Sequence, residues 1–116
     1  MKRAAFLVGA NARGHGQPTT LTLPPGVDVA EIKGDIMLPT YAPGTLVLVD
    51  RTTQRLTGEG LYFVHDGLGE VCRRVSPGNR RGVWRVYQDN QTYSTYEATP
   101  GEIAITGRIV GVFKQV

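Results

Sequence analysis

Few side chains in this chain are equipped for covalent chemistry. Its 116 residues hold two serines, Ser76 and Ser94, one cysteine, Cys72, two histidines, His15 and His65, and three lysines, Lys2, Lys33 and Lys114. A nucleophilic hydroxyl or thiol needs a neighbouring group that takes its proton. Ser76 precedes Pro77-Gly78 in a turn signature and Ser94 follows Asn90–Tyr93, and neither has a base beside it in sequence. The two histidines stand 50 positions apart (65 − 15), and one cysteine supplies too few thiolates for a zinc knuckle and none for an intrachain disulfide. No metal or cofactor is therefore expected. A second kind of chemistry is electrostatic. Between Val71 and Gln88 lie five arginines, Arg73, Arg74, Arg80, Arg81 and Arg85, and no acid. Arg74, Arg80, Arg81 and Arg85 are a candidate anion-binding patch, set against the plainer reading of a solvated hairpin.

The elements that must position these groups read as strands. Fifteen Gly and seven Pro, with many Val and Thr, favour short strands and turns. Residues 1–26 are loosely organised: Asn11 to Gln17 is polar and glycine-rich, Pro24-Pro25-Gly26 closes the stretch, and it reads as an arm. Strand signals begin at Val27 and recur at Thr45–Asp50, Leu61–Val64, Glu70–Val75, Val83–Gln88, Ile103–Ile105 and Arg108–Phe113, with Asp66-Gly67 a two-residue turn signal. No segment sustains a 3.6-residue apolar period. A mostly β domain over residues 27–116 is expected, with seven or eight short strands in sheets or a partly open barrel. The net charge of +3 and pI of about 9.3 say little by themselves about nucleic acid. Met1-Lys2-Arg3 and the apolar Ala4–Ala10 form a stretch shorter than the roughly 15–30 residues of a secretory signal, and no run approaches the ~18 apolar residues of a membrane span. A cytoplasmic location is the expectation.

Gly34-Asp35-Ile36-Met37-Leu38-Pro39-Thr40 is the most informative stretch. Pro39 fixes its own φ and holds Leu38 extended, and Gly34 permits a sharp bend. The stretch reads as a tight loop where a side chain can be presented. It resembles the nucleophile loop of the LexA-type, phage-repressor and UmuD-type self-cleaving proteins, the S24 peptidases, which reads Gly-Asp-Ser-Met-x-Pro-Thr. Ile36 stands at the position of the serine. Five further segments resemble the family in order: Pro43–Asp50, Gly60–Val64, Val71–Val75, Asp89–Tyr93 and Ile105–Val112. Val71-Cys72-Arg73-Arg74-Val75 is similar to the Val-Lys-Arg-Leu strand that carries the catalytic lysine, which puts Arg73 at that lysine's position, 37 residues after Ile36 (73 − 36).

That resemblance implies a LexA/signal-peptidase-like fold and a chain that has lost the reaction. Ile36 can neither attack nor transfer a proton. Guanidinium stays protonated in proteins, so Arg73 cannot act as the base. A one-residue shift would place Cys72 there and restore no base. The family cuts itself at Ala-Gly or Cys-Gly in its arm, and every glycine of residues 1–26 has another predecessor. Ile36 is expected to plug the core, and Arg73, sharing a strand face with Val71 and Val75, to point inward as a staple to a carboxylate or to loop carbonyls.

The function the resemblance implies is that of a catalytically inactive dimerisation module of a phage-type transcriptional repressor of the SOS-response kind. Such a module forms a homodimer and meets operator DNA only through a separate helix-turn-helix domain, for which residues 1–26 leave no room. The candidate dimer interface is the closing strand, Arg108, Ile109, Val110, Val112 and Phe113, expected to be an edge whose two apolar faces need cover. The alternatives are a stand-alone UmuD-like protein-interaction subunit and an active S24-type peptidase with an unrecognised nucleophile. A signal peptidase ranks lower, for want of an anchor and of a second Gly-Asp-Asn-Arg motif.

Overall fold

The computed structural model describes residues 2–6 and 19–113. The polar Asn11–Gln17 stretch with His15, and Lys114, lie outside them. The expected β architecture is observed, and among the described residues there is no helix. Strands β1 (Lys2–Phe6) and β2 (Thr19–Leu23) pair antiparallel as a two-stranded sheet of their own. The other seven strands form one antiparallel sheet: β3 (Val27–Glu31), β4 (Leu46–Asp50), β5 (Gly60–His65), β6 (Glu70–Pro77), β7 (Trp84–Tyr87), β8 (Tyr96–Ala98) and β9 (Ala104–Val112). Their order is β3-β4-β9-β5-β6-β7-β8. The sheet has two ends, β3 and β8, and does not close into a barrel.

The central strand β5 is apolar without alternation because both of its faces are covered. Leu61 and Phe63 join Ile32, Met37, Val47, Val49 and Cys72 in one core cluster, with Ile36 and Tyr41 packed against it. Tyr62 and Val64 belong to a second cluster with Val75, Val86, Ala98, Ile103 and Ile105. Each fully buried Val contributes roughly 1.5–3 kcal/mol relative to exposure. Tyr62 is fully buried, and its hydroxyl stays satisfied by donating to the Gly58 carbonyl at 2.7 Å and accepting from the Thr57 N–H at 3.2 Å. Burial at no hydrogen-bond cost is what lets a tyrosine occupy this position.

Four expectations change in detail. The Asp66-Gly67 turn is longer than two residues. The Asp66 carboxylate accepts from the N–H groups of Leu68 and Gly69, and the Asp66 N–H donates to the Gly69 carbonyl. Strand β8 carried no sequence signal. The two closing segments fuse into one nine-residue strand, and that strand lies inside the sheet, where its first half pairs with β5 and its second with β4. It is not an edge in the sense expected. Finally, the β4 register runs from Gly111 directly to Ile109. The bulge at Val110 puts Ile109 and Val112 on one face, opposite the core residues Val49 and Val47, where plain alternation put them on opposite faces.

Candidate functional site

The loop after β3 is shaped by glycine and held by distant hydrogen bonds. Gly34 has φ of +72°, a left-handed conformation that a Cβ disfavours. The Leu38 N–H donates to the Asp35 carbonyl and the Tyr41 N–H to the Met37 carbonyl, which closes two tight turns over Asp35–Tyr41. The Asp89–Tyr93 segment clamps the loop from outside. Asn90 donates its backbone N–H to the Ile36 carbonyl at 3.0 Å and its side-chain amide to the Asp35 carbonyl at 2.9 Å. Tyr93 donates its hydroxyl to the Asp35 carboxylate at 2.6 Å. That carboxylate beside it holds the Tyr93 hydroxyl above its usual pKa. The loop backbone at Ile36 is therefore fixed by residues more than fifty positions away.

Ile36 and Arg73 both line one cleft of about 500 Å³. Lys33 and Ile36 on the loop, Phe63 on β5 and the β6 stretch Glu70–Arg73 line it, and the end of β3 closes it. Ile36 is half-buried and packs against the first core cluster, as the plug expected from the sequence. Cys72 is 5% exposed, and burial pushes its thiol up to about 12. At neutral pH it is a thiol, without the thiolate character that nucleophilic attack requires. Neither serine joins them: Ser76 is buried further along β6, and Ser94 is exposed past β7.

The two arginines of β6 diverge. Arg74 stands opposite Leu61, on the face against which the loop packs. Its guanidinium grips both carboxylate oxygens of Asp89, the second at 3.0 Å. The bond from Arg74 holds the Asp89 carboxyl below the usual carboxylate range, and Asp89 in turn raises Arg74. Arg73 makes no ion pair among the described residues. Its Nη1 donates to the carbonyl of its own neighbour Cys72 at 2.8 Å, and its Nε is buried with no partner. The expected carboxylate staple is thus absent at Arg73 and present at Arg74. At the other end of the cleft Arg51 forks onto Glu70 at 2.7 and 3.1 Å, and Thr106 donates to Glu70 at 2.6 Å. These contacts lower the Glu70 carboxyl, the Arg51 bond most of all.

The candidate anion patch is less open than the sequence implied. Arg74 is committed to Asp89, Arg80 reaches Glu97 at 3.3 Å, and Arg85 lies over the Tyr87 ring at 4.7 Å and opposite Glu97 in the β7–β8 ladder. Arg81 is exposed. The acids that balance these arginines come from beyond Gln88, outside the window in which none was found. Among the candidate interface residues, Arg108 is engaged within the chain: it donates to the Thr57 hydroxyl at 2.7 Å and lies over the Tyr62 ring. Ile109 and Val112 pack on the core, Phe113 extends the β4 pairing by donating its N–H to the Leu46 carbonyl, and Val110 is 57% exposed.

The sequence reading did not single out Phe63, Glu70 or Lys33 as lining the cleft, nor the grip of Asp89 on Arg74. Asp89-Asn90-x-x-Tyr93 was matched as a segment, but a contact across fifty residues leaves no local mark. A model of the family described as Peptidase S24-like matches residues 15–110. No curated protein matches the chain.

Proposed function

Because the chain belongs to the Peptidase S24-like family, whose members are normally serine peptidases, we propose that it is a catalytically inactive member serving as the dimerisation module of a phage-type repressor. The observation that carries the reading is the content of the cleft. Where the resemblance puts a serine and a lysine, Ile36 and Arg73 share one site. An alkyl group offers no nucleophile, and a guanidinium gives up no proton near neutrality. The buried Cys72, which lines the same cleft, has a thiol held in its neutral form.

Dimerisation rests on a different part of the molecule. Past Arg108, β9 has a ladder partner on β4 alone among the described residues, and Val110 is exposed there together with Leu46. Isologous pairing of that half-strand across a two-fold axis would use its free side and cover the apolar groups. The test has two arms. Incubation of the purified chain at high pH, which deprotonates a catalytic lysine, should leave one intact band on a gel. Light scattering should give twice the chain mass for the wild type and a shift towards the monomer for Val110→Asp. Specific self-cleavage, or a wild-type monomer at high micromolar concentration, would refute the corresponding half of the proposal.

A further inference from the structure

Strands β6 and β7 run on past the rest of the sheet. The last β6 residue with a partner on β5 is Val75, opposite Gly60. Ser76 and Pro77 pair with Arg85 and Trp84 of β7 alone, and β8 reaches no further along β7 than Trp84. Among the described residues, the turn of residues 78–83 is therefore a projecting end two chains wide. Two backbone bonds close it: the Gly78 N–H donates to the Val83 carbonyl at 2.8 Å, and the Val83 N–H to the Arg80 carbonyl at 3.2 Å. A Cβ on Gly78 would stand 2.7 Å from that Val83 carbonyl oxygen, so glycine is what lets the two chains meet. A turn closed in this way has little backbone freedom left to lose on binding.

Arg80, Arg81 and Arg85 belong to this end, and all three are exposed. Glu97 is the carboxylate that faces them. It accepts from Arg80 at 3.3 Å, with side chains 75% and 48% exposed, and it stands opposite Arg85 in the ladder. An ion pair so long and so open to water contributes little and is readily exchanged for another anion. A second acid, Glu59, is taken up by the Tyr87 hydroxyl. Arg85 lies over the ring of that same tyrosine, which aligns its guanidinium and neutralises nothing. Arg81, in the middle of the turn, has no ion-pair partner among the described residues. Arg74 is spent on Asp89 and takes no part.

We infer that the turn end of the β6–β7 hairpin is a contact surface for the phosphate backbone of duplex DNA, with Arg80 and Arg81 at its apex and Arg85 on its flank as phosphate ligands. The chemistry favours phosphate over a protein carboxylate. Guanidinium forks match phosphate oxygens two at a time, and Asn79, Arg80, Arg81 and Gly82 offer no apolar side chain for a peptide to bury against. A ribbon two chains wide also fits the major groove, about 12 Å across, where apex and flank meet phosphates on its borders. Contacts of this kind hold a protein on the duplex and carry no sequence information. The inference goes beyond the dimerisation reading and does not rest on it, since a monomer would hold DNA by the same three arginines.

The test titrates the whole chain into a fluorescein-labelled duplex of mixed sequence and about 20 base pairs, read by anisotropy from about 50 to about 200 mM potassium chloride. Three neutralised phosphates give log Kobs a slope of roughly −2.7 against log salt, about a fortyfold loss of affinity over that range. Arg81→Gln should flatten the slope by about 1, which leaves about a twelvefold loss. Arg55→Gln removes the same charge from the exposed loop between β4 and β5 and should keep the wild-type slope. Amide chemical-shift mapping of the wild type with unlabelled duplex should centre on residues 79–82 and Arg85. Equal flattening by the two variants would overturn the inference, because binding would then follow net charge alone. Shifts centred on the Ile36–Arg73 cleft, or no salt-dependent binding at about 50 mM, would overturn it too. A glutamate-rich peptide of equal charge that displaces the labelled duplex as well as unlabelled duplex does would overturn the choice of nucleic acid in favour of an acidic protein. The salt slope and the mapping of the wild type need no variant, so a poorly folded Arg81→Gln would not shield the proposal.

Discussion

The two halves of strand β6 differ in everything except sequence character. At Arg74 and Val75 the strand has ladder neighbours on both sides, Ser76 and Pro77 keep the one on β7, and Arg74 is locked to Asp89 by a two-point ion pair whose side chains are 29% and 14% exposed. From Glu70 to Arg73, among the described residues, it has one ladder neighbour, a cleft, and an arginine whose one hydrogen bond goes to the residue before it. Adjacent, chemically identical side chains thus have opposite standing. Arg74 ties the strand to the end of β7 and, through Asp89 and Asn90, to the loop that presents Ile36. Among the described residues Arg73 hydrogen-bonds to nothing beyond its own strand. A guanidinium contributes to a fold according to the acceptors around it, and identity alone is silent on that.

The largest effect should come from cutting the anchored half. Asp89→Ala leaves Arg74 largely shielded from water without its partner, a loss of about 2 kcal/mol after allowance for its partial exposure. Urea denaturation should show it as a lowered midpoint. Asp89 and Asn90 adjoin, so the loop clamp should loosen too, visible as faster amide exchange at Leu38 and Tyr41, whose N–H groups close the loop turns. A wild-type midpoint would mean that the pair adds nothing.

The same pair fixes a pH dependence. Arg74 holds the Asp89 carboxyl below its ordinary value of 3.8, so as pH falls the unfolded chain protonates that carboxyl before the folded chain does. Its contribution is complete above the unfolded value and is lost as pH drops through the lower folded one. The stability difference between wild type and Asp89→Asn should therefore be flat from neutrality to about pH 5 and shrink below about pH 4. A difference that shrank instead between neutrality and pH 5 would assign the effect to another group.

Much of this contrast was hidden in the sequence, for physical reasons that can be named. Strands β3 to β7 were legible to within about two residues, because Pro43-Gly44, Gly60 and Ser76-Pro77-Gly78 punctuate them. The juxtaposition of Ile36 with Arg73 was legible too, but only through likeness to a family. What could not be read was set by packing between distant segments. Thr106-Gly107 resembles a break, yet β9 runs through it, because Gly107 is buried where an added Cβ would run into Val49. The bulge at Val110 inverts the expected faces of the closing strand, and no residue type there announces it. The window Val71–Gln88 held no acid, and the acids that matter, Asp89 and Glu97, arrive from the turn and strand that follow. Arg73 and Arg74 were separable only by asking which carboxylate each could reach.

The floor of the open half offers a sharper probe. Cys72 lines the cleft but is buried against Phe63 and Met37 in the first core cluster, and burial pushes its thiol up to about 12. Alkylation by iodoacetamide at pH 8 should be slower than that of an unfolded cysteine by at least about a hundredfold, since it depends on the thiolate fraction and on access. Adding urea to the unfolding midpoint should restore the rate. Rapid alkylation of the native chain would show that the cleft opens to its floor, and would set the two halves of β6 further apart in rigidity than the burial of Cys72 implies.

The smallest expected effect is the most discriminating. Arg73→Ala removes a charged side chain that the resemblance puts at a catalytic position, yet the contacts predict almost no loss of stability. One hydrogen bond to the adjacent carbonyl disappears, worth about 1 kcal/mol net at most. Against it stands relief of the buried Nε that has no acceptor, a penalty of similar size. The two terms cancel to within about 0.5 kcal/mol, the range of an ordinary surface substitution. The measurement is a urea melt of Arg73→Ala beside Arg74→Ala under identical conditions. Arg74→Ala should fall by about 2 kcal/mol, because it strands the mostly buried Asp89 carboxylate, and Arg73→Ala should overlay the wild type. Equal losses for the two variants would mean that Arg73 is anchored as firmly as its neighbour.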